Sequence, residues 1–160
     1  MPRRKSVNMT RDIGVDPRFK SAVVQKFINV VMERGKKNLA RAIVYGAFDI
    51  LAEKTKSDDK KVFAMFEKAI DQIRPLVEVK ARRVGGGVYQ IPVEVRTSRA
   101  LALAFRWIKS SAAARSDKTM SERLAIELLE AYEGRGNAFK KKLEVHKMAE
   151  SNRAFSHYAW

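Results

Sequence analysis

Apolar residues recur at spacings of three and four along most of the chain, which is the period of an α-helix. Charged or glycine-containing segments separate the runs. The pattern predicts a mainly α fold, a six-helix bundle in which one stripe of each helix faces a common core. The stripes are, helix by helix, Val23, Val24, Phe27, Ile28 and Val31; Leu39, Ala40, Ile43, Val44, Ala47, Phe48 and Leu51; Val62, Phe63, Phe66, Ala69, Ile70 and Ile73; Leu101, Phe105, Ile108 and Ala112; Leu124, Leu128, Leu129 and Tyr132; Phe139, Leu143 and Met148.

Capping and helix-breaking residues predict where several of these helices begin and end. Asp16 can cap the first helix, and Pro17 suits its first position. Pro75 stops the third helix. Thr119 and Glu122 have the spacing of a capping box and predict the start of the fifth helix. The sixth helix is the least amphipathic, and we expect it to run into the aromatic end RAFSHYAW.

One segment departs from the helical period and predicts a two-stranded β-hairpin over residues 76–96. Its sequence VEVKARRVGGGVYQIPVEV places two alternating runs on either side of three glycines. A three-residue loop at 85–87 would pair Val84 with Val88 and would make one face apolar near the base of the hairpin. The glycines allow close approach to a surface, and Arg82 and Arg83 offer planar donors for phosphate. These features favour a finger that binds nucleic acid. An ordinary exposed hairpin with a flexible turn is the alternative interpretation.

The charge of the chain indicates a polyanionic partner. Its 160 residues, which fit one domain, contain 33 Lys and Arg against 18 Asp and Glu, a formal net charge of +15. Nucleic acid is the commonest partner of so basic a protein. A membrane surface is the rival interpretation, but no stretch approaches the roughly 18 apolar residues of a membrane span. We expect no membrane partner and a soluble, intracellular protein.

Basic residues concentrate at the N-terminus and wherever the apolar pattern pauses. Residues 1–15 predict a flexible basic arm that becomes ordered on binding, with Arg3, Arg4, Lys5 and Arg11. Each of the other clusters, taken alone, is more typical of a solvated surface than of a binding site. Together with the arm and the hairpin they favour RNA or DNA. They comprise Lys36 and Lys37; Arg99, Arg106 and Lys109; Arg115 and Lys118; and Arg135 with Lys140–Lys142.

Catalytic patterns are missing from the sequence. It contains two histidines and no cysteine, too few ligands for a histidine- or thiolate-based metal site. It has no Gly-x-x-x-x-Gly-Lys-Ser/Thr phosphate loop, and GRGNAF does not complete Gly-x-Gly-x-x-Gly. We therefore expect no enzyme, no catalytic residue, no metal and no cofactor.

Four segments resemble a known family closely and in the same order along the chain. DPRFKSAVVQKFINVVMERGKKNLARAIVYGA, VEVKARRVGGGVYQIPVEV, ALAFRWI and HKMAESNRAFSHYAW are similar to the bacterial seventh small-subunit ribosomal protein, the uS-seven family. The resemblance covers essentially the whole chain. One departure is Ala159, where the family would have an arginine before the final Trp160.

The resemblance implies a six-helix bundle with one protruding hairpin in the cytoplasmic small ribosomal subunit. It implies direct binding to the 3′ major domain of small-subunit rRNA, nucleation of head assembly, and a position near the tRNA exit site and the mRNA path. The ninth and eleventh small-subunit proteins would be neighbours, and some members also repress their own operon mRNA.

Particular residues follow from the same resemblance. The hairpin tip, Val84, Gly85, Gly86, Gly87, Val88 and Tyr89, would be the tRNA-side element. The rRNA-binding residues would be Arg3, Arg4, Lys5, Arg11, Lys36, Lys37, Lys80, Arg82, Arg83, Arg99, Arg115 and Lys118.

Three other functions are consistent with parts of the sequence. A DNA-architectural protein could insert a β-arm into a minor groove, but such arms carry apolar wedges where this tip has glycines and Tyr89. A helical bundle that binds only other proteins would not explain the net charge of +15. An RNA-processing enzyme would need catalytic residues.

Overall fold

Six α-helices and one antiparallel hairpin make up the part of the chain that the computed structural model describes, residues 12–158. The hairpin comes between the third and fourth helices, and a short 3-10 helix, Arg153–Tyr158, ends the described chain. The elements are α1 Ala22–Val31, α2 Lys37–Thr55, α3 Asp59–Ile73, β1 Val77–Val84, β2 Gly87–Glu94, α4 Thr97–Ala113, α5 Met120–Tyr132 and α6 Asn137–Ser151. The predicted mainly α fold with one hairpin is confirmed.

Four phenylalanines from four helices form the centre of the core. The rings of Phe27 and Phe66 lie 5.3 Å apart, and Phe27 and Phe105 lie 5.2 Å apart. Phe48 packs against Phe66 at 5.2 Å. All four side chains are at most 2% exposed. These rings join α1, α2, α3 and α4, as the predicted stripes require, and α5 packs on α2, α3 and α4. Leu39 is an exception to its stripe, because 57% of it is exposed.

The first helix begins five residues later than its capping pattern predicts. Ser21 is the N-cap of α1, and its hydroxyl accepts a hydrogen bond from the Val23 amide. Asp16 instead stabilises a separate turn, because its buried carboxylate accepts from the amides of Arg18 and Phe19. Lys20, with a φ of 49°, separates that turn from the helix. Asp16 is therefore a turn cap and not a helix cap.

The capping box of α5 and the end of α3 agree with the sequence. Thr119 accepts from the Glu122 amide while the Glu122 carboxylate accepts from the Thr119 amide, so the two residues cap α5 reciprocally. α3 ends at Ile73, two residues before Pro75.

The register of the hairpin differs by one residue from the predicted one. Val84 pairs with Gly87 and Arg83 with Val88, so the loop is the two-residue turn Gly85–Gly86. Both loop glycines have a positive φ, 56° and 88°, as a type I′ turn requires, and the twist of that turn matches the twist of the strands. The predicted three-residue loop and its apolar face are wrong. Glu78 lies opposite Val93, and polar and apolar residues share both faces.

The aromatic end of the chain leaves α6 and folds onto the hairpin. α6 ends at Ser151, and the 3-10 helix packs against β2. The Tyr89 ring lies 5.0 Å from Phe155 and 6.2 Å from Tyr158. The same ring covers Gly87, where a β-carbon would come within 3.0 Å of it. α6 therefore reaches the aromatic end, as predicted, and that end continues as a 3-10 helix and not as an α-helix.

Two predicted features lie wholly or partly outside the described residues. Of the basic arm, Arg3, Arg4, Lys5 and Arg11 lie outside them, as does Ala159; residues 12–15 are exposed and form neither helix nor strand. Between residues 12 and 158, the helices are too short or too polar to cross a lipid bilayer.

Candidate nucleic-acid interface

The basic residues of the hairpin point to both of its faces. Arg82 and Tyr89 are cross-strand neighbours, and both contact the C-terminal segment: an Arg82 guanidinium nitrogen donates to the Tyr158 carbonyl at 3.4 Å. Because side chains alternate along a strand, Arg83 and Val88 point to the opposite face. Arg83 is exposed and Val88 is 68% exposed. The tip is open as well, since β-carbons at Gly85 and Gly86 would have no atom within 4 Å.

A buried carboxylate at the base of the hairpin forms ion pairs with two of the predicted cations. Glu78 is 8% exposed, and both of its carboxylate oxygens accept from Arg99 Nε at 2.8 Å. Lys80 Nζ lies 3.5 Å from the same carboxylate. The side chains of Arg99 and Lys80 are still about half exposed, at 52% and 50%. Their outward donors can therefore meet a phosphate while the carboxylate joins β1 to the first turn of α4.

The loop between α1 and α2 carries a second group of cations. Lys36 is the N-cap of α2, and its side chain makes no capping hydrogen bond. Lys37 is the first helical residue, and both lysines are exposed. Neither forms an ion pair within residues 12–158. Positive charge at the start of a helix adds to the partial positive charge of the helix terminus, so this loop attracts anions.

Arg115 has a different environment from the other predicted cations. Its guanidinium pairs with Asp117, Glu127 and Glu130 at 2.8–3.2 Å, and 18% of its side chain is exposed. The hydrogen bond and charge of Arg115 lower the pKa of Glu130 and so keep that carboxylate ionised. Glu127, fully buried, also accepts from the Ala138 amide at the start of α6. Arg115 thereby joins α4, α5 and α6, while Lys118 in the same loop is exposed.

His146 has a structural role that sequence reasoning missed. Its Nε2 accepts a hydrogen bond from the Leu76 amide at 3.1 Å, which joins α6 to the start of the hairpin. Burial, and then the charge of Lys142, lower the pKa of this imidazole and favour the neutral acceptor form. No sequence signal indicated the contact, since its two residues lie 70 positions apart.

Arg34 is a cation that the predicted set omits. It precedes Gly35 in the α1–α2 loop, is exposed, and has a φ of 51°. A positive φ is uncommon for a residue with a side chain and often marks a site with a specific role. Arg34 belongs to the segment ERGKKN, residues 33–38, which separates the first two apolar stripes and from which the predicted set includes only the two lysines.

Within residues 12–158, no group of three or more His, Cys, Asp or Glu side chains has a metal-binding arrangement. What the fold presents is a packed helical core with cations on a hairpin, on helix starts and on loops. These features are typical of a nucleic-acid-binding protein.

Comparison with known proteins identifies the family. The model of the family described as ribosomal protein S7p/S5e matches residues 2–153, and the chain belongs to this family. It is 53% identical over 160 residues to the small ribosomal subunit protein uS7 of Acidithiobacillus ferrooxidans, covering 100% of both chains. It is 56% identical over 158 residues to the uS7 protein of Azoarcus sp. and 55% identical over 158 residues to that of Acinetobacter baumannii, covering 99% of each chain.

The family resemblance seen in the sequence is confirmed by these matches. The chain is a structural component of the small ribosomal subunit and not an enzyme.

Proposed function

We propose that this ribosomal protein is a primary binder of the 3′ major domain of small-subunit rRNA and that its binding nucleates assembly of the subunit's head. As a component of the small ribosomal subunit it acts in the cytoplasm. The observation that carries the proposal is the exposure of Lys36, Lys37, Arg83 and Lys118, on separate segments, without an ion pair inside the described part of the chain. Cations left open on several segments suit a folded RNA whose phosphates approach from several directions.

The cations with protein partners contribute in two ways. Lys80 and Arg99 use their outward donors for phosphate while Glu78 fixes their inner side. Arg82 reaches the RNA beside the C-terminal segment that it contacts. Arg115 contributes indirectly. Its ion pairs with three carboxylates, those of Asp117, Glu127 and Glu130, hold the 114–119 loop in place, and Lys118 lies in that loop. Arg3, Arg4, Lys5 and Arg11 complete the rRNA-binding set as proposed from the sequence.

The hairpin tip is the element proposed to lie nearest the exit-site tRNA and the mRNA path. Residues Val84–Tyr89 combine an open glycine turn with the exposed Val88 and a tyrosine, and the exposed Arg83 directly precedes them. Such a tip can approach an RNA backbone more closely than the helical body can. For the protein as a whole, the ninth and eleventh small-subunit proteins are the proposed neighbours, and the mRNA of its own operon is a further proposed ligand.

An assembly experiment tests the nucleating role. Transcripts of the 3′ major domain are incubated with the ninth small-subunit protein, with and without this chain, and the bound proteins are separated by sedimentation. Recruitment of the ninth protein should require prior binding of this chain. Equal recruitment in its absence would overturn the proposed nucleating role.

A further inference from the structure

An open groove with an apolar floor lies beside the α1–α2 loop. It is formed by the end of α1, the first turns of α2, the end of α4 and the start of α5, and it encloses about 370 Å³. This volume falls within the roughly 300–1,000 Å³ of typical small-ligand pockets. Apolar side chains line its floor: Val31, Leu39, Ala40, Ile43, Ala113 and Met120.

Leu39 is left without a protein partner on its outer side. It belongs to the apolar stripe of α2, yet it is 57% exposed, whereas its neighbour Ala40 is 3% exposed. Its exposed surface lines the groove and is accessible to a ligand. An exposed large apolar side chain in a concave site is typical of a binding surface.

The rim of the groove is positively charged. Arg34 and Lys36 line it, are exposed, and form no ion pair within residues 12–158. Lys109 also lines it, but its ammonium lies 3.1 Å from Glu33 and is neutralised by that carboxylate. The groove therefore combines an uncharged, apolar floor with two available cations at its edge.

We propose that this groove binds one unpaired nucleotide of RNA, with the base on the Leu39 floor and the adjoining phosphates at Arg34 and Lys36. Bases inside a duplex are stacked and cannot reach an apolar floor, whereas a splayed-out base exposes both faces. The proposal deepens the proposed rRNA function, on which it rests, by giving one site a preference for an unpaired base. An acidic peptide with an apolar anchor is the competing occupant, and the +15 charge of a ribosomal protein favours RNA.

The test compares two half-exposed leucines on different surfaces. Leu39→Ser alters the groove, and Leu143→Ser is the matched control, because Leu143 on α6 is 50% exposed and lies outside the groove. Both variants and the wild type are titrated with a transcript of the 3′ major domain across a salt series. The bound RNA is probed with base-specific chemical modification, and thermal unfolding confirms that each variant is folded.

Leu39→Ser should weaken binding about tenfold, the effect of losing 1.4 kcal/mol, with an unchanged salt slope because no phosphate contact is lost. Leu143→Ser should bind like the wild type. One unpaired base should be protected by the wild type and by Leu143→Ser and become reactive with Leu39→Ser. Arg34→Ala with Lys36→Ala should instead reduce the salt slope.

Distinct results separate the failure of this site from the failure of the proposed function. Equal affinities and identical base protection for the two leucine variants would overturn the groove proposal while rRNA binding stands. If Leu39→Ser keeps full RNA affinity but loses association with another subunit protein, the groove is a protein-docking site and the proposal is also overturned. If the wild type shows no preference for this transcript over unrelated RNA, both the groove proposal and the proposed rRNA-binding function are overturned.

Discussion

Arg99 Nε lies 2.8 Å from each carboxylate oxygen of Glu78, and this contact joins the first turn of α4 to the base of the hairpin. Glu78 is nearly buried, whereas the outer half of Arg99 remains accessible. A contact of this geometry limits how far the hairpin can swing relative to the helical body. It thereby keeps the hairpin's cations at a fixed distance from those of α4.

The first prediction concerns this pair. Arg99→Ala should lower the free energy of unfolding by about 1–3 kcal/mol, because it removes a hydrogen-bonded partner from a nearly buried carboxylate. Arg106→Ala, an exposed arginine of the same helix, is the control and should change stability little. Urea unfolding measures both. In the Arg99→Ala background, Glu78→Gln should cost less than it does in the wild type; strictly additive effects would show that the two side chains do not interact.

A second prediction concerns Gly136, which precedes α6. Its φ is 89°, and a β-carbon there would lie 3.1 Å from Glu127 Oε1 and 3.2 Å from Glu130 Cβ. Gly136→Ala should destabilise the protein by more than about 1 kcal/mol through backbone strain and through displacement of the carboxylates that hold Arg115. Gly134→Ala is the control, since its φ is also positive but its β-carbon would meet nothing within 4 Å. Equal losses in thermal unfolding would contradict the crowding at Gly136.

A third prediction concerns the pH dependence of stability. The folded-state pKa of His146 is lowered from its usual value of 6.5, so the unfolded chain binds a proton there more readily than the folded protein does. The stabilisation is complete above pH 6.5 and is lost as the pH falls from there through the folded-state pKa. His146→Gln, which retains an acceptor for the Leu76 amide but does not titrate, should remove this part of the loss.

The measurement is urea unfolding of the wild type and His146→Gln between pH 7.5 and roughly pH 5, where an unperturbed histidine is mostly protonated. The difference in stability should move in favour of His146→Gln as the pH falls. His157→Gln, at the exposed second histidine, controls for a general histidine effect. A pH-independent difference between the wild type and His146→Gln would contradict the assigned contact.

A fourth prediction concerns the hairpin tip. Replacing residues 82–89 by a plain tight turn should weaken rRNA affinity and tRNA contact, because it removes Arg82, Arg83 and the open glycine turn. A comparison variant replaces Gly85–Gly86 by Asn-Gly, which keeps a type I′ turn and both arginines, so it should lose less affinity than the truncated hairpin. Filter binding and translation by reconstituted subunits measure the outcome. Unchanged affinity together with unchanged translation would exclude a role for the tip.

Helix positions were predictable because their stripes carry a strong periodic signal. Phe27, Phe48, Phe66 and Phe105 all fall on predicted stripes and all meet in the core. The capping box of Thr119 and Glu122 was equally predictable, since it needs only contacts between residues close in sequence. Local and periodic patterns therefore account for most of the helical body.

The hairpin register and the capping role of Asp16 were mispredicted because each pattern allowed two local solutions. Three consecutive glycines permit either a two- or a three-residue loop, and only the twist of the paired strands favours the shorter one. Asp16 followed by a proline suits a helix start. Its carboxylate instead accepts hydrogen bonds from the amides of Arg18 and Phe19, in the turn before α1, and from the Tyr45 hydroxyl at 2.7 Å. That hydroxyl comes from α2, which local sequence reasoning cannot place.

The candidate site depended on contacts between distant segments. Charge and family resemblance selected Arg99, Lys80 and Arg115 as basic candidates, but not the carboxylates that hold them. Glu78 and Arg99 lie 21 positions apart, and their contact follows from how the hairpin folds back on α4. Leu39 looked like a core residue because periodicity reports the face of a helix and not whether another element covers it.

The most direct test of the central claim is competition filter binding of the purified protein to a transcript of the 3′ major rRNA domain across a salt series. An unrelated RNA of the same length and duplex DNA serve as competitors. The account predicts one-to-one binding that survives excess of both competitors, with a log–log salt slope that rises by close to one for each phosphate contact. If unrelated RNA and duplex DNA displace the bound transcript as well as unlabelled transcript does, the charge of +15 alone drives binding, which would contradict the proposed role as a primary rRNA binder.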